Sequence, residues 1–119
     1  MNTLSKKKSR IKDKRSTDPI DRLIFEKGLR IKHLLVDKDI DLLAIVLSNS
    51  TIIKSRLSDF PKLRRANEKQ LNNWELIGGG IGIEWGVLDE DLSLKGFIKN
   101  AYMNRALRTL EYAQEDFSL

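Results

Sequence analysis

The sequence predicts an α+β fold: a small antiparallel sheet, made of a three-stranded meander plus a short glycine-rich hairpin, packed with short helices and followed by a longer C-terminal helix. Three observations carry this expectation. Between Leu29 and Leu57 the apolar residues follow strand periodicities. Between Ser58 and Leu71 the spacing becomes helical. From Leu94 onward Ile98, Tyr102, Ala106, Leu110, Ala113 and Phe117 recur every three or four residues, as on one side of a helix. A chain of 119 residues supplies one core, and halving it would leave units too small to bury much surface.

Each element has a local cause. Asp18-Pro19-Ile20-Asp21 combines an N-cap residue, proline at the first helical position and an acid in the first turn, so a short helix starts there and Gly28 ends it. Leu29, Ile31 and His33 alternate with Arg30, Lys32 and Leu34 through Val36, the pattern of a half-buried strand. Ile40 to Leu47 is almost continuously apolar, as expected of a strand covered on both faces. Ser48-Asn49-Ser50 turns the chain into a third strand, Thr51 to Leu57, rich in β-branched residues.

Ser58 is expected to cap a short helix with Asp59 and Pro61 in its first turn, and Lys62, Arg64 and Arg65 suit its C-terminal carbonyls. Asn67 with Gln70 three residues on is a variant capping box for a second. Trp74 to Ile77 and Ile81 to Trp85 read as strands around Gly78-Gly79-Gly80, and Val87 to Ser93 reads as a loop built on Asp89-Glu90-Asp91. The last helix runs from Leu94 to about Asp116, with Gly96 and Asn104 as weak points and Arg105, Arg108, Glu111 and Glu115 largely off its apolar stripe.

Charge divides the chain more sharply than periodicity does. The net charge is +5. Residues 1–17 carry Lys6, Lys7, Lys8, Arg10, Lys12, Lys14 and Arg15 with few large apolar residues, and read as a disordered basic tail. From Ile20 on, cations and acids number 15 each. The expected organisation is therefore the tail at 1–17, an α+β domain at 18–98 and a helical extension at 99–119.

Several chemistries are excluded or disfavoured. With no cysteine there is no disulfide, thiolate nucleophile or cysteine-held metal. His33 is the sole histidine and no nucleophile motif accompanies it, so catalysis through it is not expected. The glycine run leads into a strand rather than a helix N-terminus and lacks a following Gly-Lys-Ser/Thr, so it reads as a turn and not a phosphate cradle. Glu84, Asp89 and Asp91 could hold magnesium only with a convergence that their spacing does not suggest. No enzyme activity, metal or cofactor is expected. No apolar run approaches the ~20 residues of a membrane helix, and the basic start is followed by no signal-like segment, so a cytoplasmic protein is expected.

The order of motifs from about Leu29 to Ile98 resembles a family of small bacterial domains, domain of unknown function 2442. The likeness rests on the strand pair within Leu42 to Leu57, on Ser58-Asp59-Phe60-Pro61-Lys62-Leu63, on Ala66 with Gln70-Leu71-Asn72-Asn73-Trp74, and most specifically on Gly80-Ile81-Gly82-Ile83-Glu84-Trp85 followed by Leu88-Asp89-Glu90-Asp91-Leu92-Ser93-Leu94. Two departures are Ser48-Asn49-Ser50 in place of an Asp-Gly turn and Gly86 where a proline commonly follows the tryptophan. The resemblance implies a compact α+β module, supplies no catalytic residues, and suggests an accessory protein, regulatory or antitoxin-like.

The leading functional expectation is thus a non-catalytic module that binds a protein, a toxin-like or larger effector among the candidates, through Trp85, Asp89, Glu90, Asp91, Tyr102 and Arg105. The alternative is a nucleic-acid-binding regulator or nucleoprotein subunit. Its phosphate contacts would come from Lys6, Lys7, Lys8, Arg10, Lys12, Lys14 and Arg15, and deleting residues 1–17 would then abolish binding and flatten its salt dependence. Self-association is a third option for a partner.

Overall fold

A computed structural model describes residues 18–117, with side chains described as far as Ala113. The seven cations from Lys6 to Arg15, assigned above to phosphate contact, lie outside the described residues. The rest is an α+β arrangement of two small antiparallel sheets, short helices and one long C-terminal helix.

Asp18 caps the first helical turn as expected, its Oδ1 accepting from the backbone N–H of Ile20 at 2.9 Å and of Asp21 at 3.3 Å. That turn, α1 (Pro19–Asp21), widens at once into a π-helical turn, Arg22–Glu26. Apolar spacing alone does not separate the two geometries, so the sequence reads as a plain short helix. Gly28, at φ +76°, ends the segment.

The first sheet is the predicted meander: β1 (Ile31–Asp37), β2 (Leu42–Leu47) and β3 (Ile52–Arg56), paired in that order. The simple alternation in β1 is interrupted. Ile31 pairs with Leu47 and His33 with Val46, leaving Lys32 as a bulge. The bulge resets the phase, so that Ile31 and Leu34 are both buried while His33 is exposed. In β2, Leu43, Ala44 and Ile45 are buried in succession, as an apolar strand covered on both faces requires.

The connection after β3 differs from expectation at Ser58. It is a donor, not a cap: its hydroxyl donates to Asp41 Oδ2 at 2.7 Å and its N–H to Oδ1 at 2.8 Å. Leu57–Asp59 forms a 3-10 turn, and α2 (Pro61–Arg65) begins only at the proline, after an uncapped Phe60. Asn67 and Gln70 do form the reciprocal capping box of α3 (Glu68–Leu71).

The second sheet holds the main correction. Beside the expected hairpin of β4 (Glu75–Ile77) and β5 (Gly82–Trp85) lies a third strand, β6 (Glu90–Ser93), where a loop was expected. It pairs with β5 from Trp85↔Glu90 to Gly82↔Ser93. Without β6 the outer backbone groups of β5, a strand buried at Gly82, Ile83 and Trp85, would lack partners.

The sheets meet at Gly80, whose carbonyl accepts the Ile31 N–H at 2.8 Å. Gly80 sits at φ +122°, and a Cβ there would fall 2.4 Å from Ile31 O, so only glycine permits this approach. One continuous core follows, joining Ile31, Leu43 and Ile45 of the first sheet to Ile83 and Trp85 of the second, under Leu94, Phe97 and Ile98 of α4 (Leu94–Phe117).

Candidate interaction surface

Helix α4 is packed only at its start. At about 100° per residue, Leu94, Phe97, Ile98 and Ala101 share one sector, and the first three are buried. Lys95 ties this end to α1 through ion pairs with Asp18 at 3.0 Å and Asp21 at 2.9 Å. The hydrogen bond from Lys95 holds the Asp18 carboxyl below its ordinary value, with the N–H groups of Asp21 and Ile20 adding to the effect. Hydrogen bonds to Asp21 and then Asp18 raise Lys95 in turn. Phe97 stacks on Phe60 with ring centroids 5.9 Å apart, and Asn104 Nδ2 donates to Asp59 Oδ2 at 3.0 Å. These contacts fix the helix direction, and beyond Asn104 it overhangs the domain.

The overhang presents two faces. Met103, Leu107 and Leu110 lie roughly 160° from the buried sector. They are 60%, 50% and 64% exposed. Tyr112 also falls in this sector, but the first residues to continue it after Ala101 are Arg105 and Arg108. They look over a cleft of about 810 Å³ between α1, β3 and α4. Ile20, Leu23, Ile53 and Ile98 are among its apolar lining, and Lys54 and Tyr102 line it too.

The residues singled out from the sequence divide accordingly. Tyr102 and Arg105 line the cleft. Trp85 does not belong to any contact surface: it is fully buried, its Nε1 donating to the Leu71 carbonyl at 3.0 Å at the end of α3. Asp89, Glu90 and Asp91 do not form a loop patch. Asp89 takes a left-handed conformation at φ +52° and its carbonyl accepts from Lys62 Nζ at 2.9 Å, while Glu90 and Asp91 are successive strand residues whose side chains alternate. Among the described residues no three His, Asp or Glu side chains converge as a metal site would need. His33 is exposed and meets Trp74 edge-to-face at 5.7 Å. The outward residues Met103 and Leu107 were missed in the sequence, because the apolar stripe was drawn through Ile98 and Tyr102, nearer the core side.

The family model for "Protein of unknown function (DUF2442)" matches residues 33–102. The chain belongs to the DUF2442 family. Its α+β domain is similar to a protein of unknown function from Rhodospirillum rubrum, at 27% identity and a TM-score of 0.54, covering 61% of this chain and 88% of that one. It also shares its fold with an uncharacterised protein from Chromobacterium violaceum, at 23% identity and a TM-score of 0.55, covering 71% and 76% of the two chains. No curated protein matches the chain. The DUF2442 match ends at Tyr102, one residue before the outward apolar face of α4 begins. No helix among the described residues is long and apolar enough to cross a membrane.

Proposed function

We propose that this DUF2442 protein is a non-catalytic accessory module, regulatory or antitoxin-like, that binds a protein partner through the overhanging part of α4. The observation that carries the reading is the outward face formed by Met103, Leu107 and Leu110. These side chains are more than half or about half exposed although the helix has no structural need for them there, since its core contacts end near Ala101. An apolar helix face of this kind is the ordinary anchor for a groove on another protein. Burying two leucines from that degree of exposure contributes about 2–3 kcal/mol to a complex.

The test is site-specific photocrosslinking in the native host, with benzoylphenylalanine at Leu107 and, as a control, at the exposed Lys69. A discrete adduct with a different protein, distinct in mass from a dimer of this chain, is expected at position 107 and none at 69. Crosslinking that is absent or identical at both positions would contradict the reading.

A further inference from the structure

The cleft under α4 has a chemistry that identifies its occupant. Its wall is apolar, and the charged residues lining it are all cations: Lys54, Arg105 and Arg108. None of the three has an ion-pair partner among the described residues, where the only pairs are Arg22 with Glu26 and Lys95 with Asp18 and Asp21. The occupant must bring carboxylates and apolar groups together. Residues 1–17, with seven cations and a single acid, are excluded on charge. The stretch from Glu111 to Leu119 has the required chemistry, with Glu111, Glu115 and Asp116 beside Tyr112, Phe117 and Leu119. Within one copy about 15 Å of helix axis separates Arg105 from position 115.

We propose that the cleft receives the distal end of α4 from a second copy of this chain, the two helices lying antiparallel about a two-fold axis near residue 110. Position 115 of each copy then lies level with Arg105 of the other, and Tyr112 lies level with Arg108. Arg105 of one copy is then level with the acidic stretch of its partner, and the contact is made twice, as a two-fold interface requires. A nucleic-acid backbone would satisfy the arginines but leave the apolar wall of Ile20, Leu23, Ile53 and Ile98 without a partner. The interface uses the inner face of α4 and stands apart from Met103, Leu107 and Leu110.

Sedimentation equilibrium on the full chain tests this by charge exchange. Wild type should sediment at twice its 13.7 kDa chain mass at micromolar concentrations, and less so in high salt. Arg105→Glu/Arg108→Glu and Glu115→Arg/Asp116→Arg should each weaken association at least 10-fold. An equimolar mixture of the two should restore it, since each variant's cleft then faces the opposite charge. Circular dichroism checks that both variants keep their helix, and the neutral Arg105→Gln/Arg108→Gln pair gives the same reading without added repulsion. Three results would each overturn the assignment: a monomeric wild type, variants that stay dimeric, or a mixture that fails to associate. A monomeric wild type that retards a labelled oligonucleotide through Arg105 and Arg108 would reassign the cleft to nucleic acid. None of these outcomes bears on crosslinking at Leu107, so the two readings fail separately.

Discussion

Alanine at Gly80 and at Gly79 should have very different costs, although both glycines have positive φ. Gly79 lies at φ +72°, and a Cβ there would meet nothing within 4 Å, so Gly79→Ala incurs only the left-handed backbone penalty, about 1 kcal/mol. Gly80→Ala must in addition accommodate a Cβ at 2.4 Å from Ile31 O and at 2.9 Å from both Ile31 N and Arg30 Cβ. The chains must separate by about 1 Å to restore ordinary contact, which costs the 2.8 Å Ile31–Gly80 hydrogen bond, net about 1 kcal/mol, and packing worth another 1–2. With the strain of a side chain at φ +122°, the total is about 3–5 kcal/mol. Urea denaturation followed by tryptophan fluorescence reads the difference. At a slope of about 1–1.5 kcal/mol per M, Gly79→Ala lowers the midpoint by about 1 M or less and Gly80→Ala by about 2–5 M. If the two variants agree within about 0.5 kcal/mol, the joint between the sheets is not set by this close approach, and the steric reasoning is wrong.

The acid and alkaline limits of stability should both depend on Lys95. Asp18 titrates below the ordinary 3.8 in the folded chain, so its contribution is complete above that value and is lost as pH falls through the lowered one. Lys95 titrates above 10.5, so its contribution holds below that value and is lost as pH rises through the raised one. Lys95→Ala should flatten both limits in a series of thermal melts. The share of Asp41, lowered chiefly by the Ser58 hydroxyl, should remain at the acid end. Trp85→Phe removes the indole donor to Leu71 O from a fully buried site and should cost about 2–4 kcal/mol by the same urea assay. A loss below about 1 kcal/mol would return Trp85 to the surface. Asn67→Ala should cost about 1 kcal/mol through the capping box of α3, and Ser58→Ala should matter through Asp41 rather than through any helix start.

What could be read from the sequence was what local chemistry decides. The meander was legible because period-two apolar spacing and the Ser48-Asn49-Ser50 turn act within a few residues. The caps at Asp18 and Asn67 were legible because an N-cap is a contact between near neighbours. Strand β6 was not, since Glu90-Asp91-Leu92-Ser93 has a single large apolar residue and extends only because β5 lies beside it. Ser58 misled because its partner, Asp41, is 17 residues away. Trp85 was offered as a contact residue on its size, and only the fold discloses that α3 supplies an acceptor for its indole in the core. The helix α4 was legible as a helix, but which sector faces the core depends on where Leu94 and Phe97 land, and the outward face of Met103, Leu107 and Leu110 followed only from that.

The role of α4 as a docking surface is tested most directly by calorimetric titration of the partner captured at position 107 into wild type and into Leu107→Glu/Leu110→Glu. Both leucines are at least half exposed, so the double variant should keep its melting temperature within a few degrees. Its affinity should fall at least 100-fold, because docking would bury two charges in place of two apolar side chains. Unchanged affinity with unchanged stability would contradict the proposal, and would remove α4 from the binding surface.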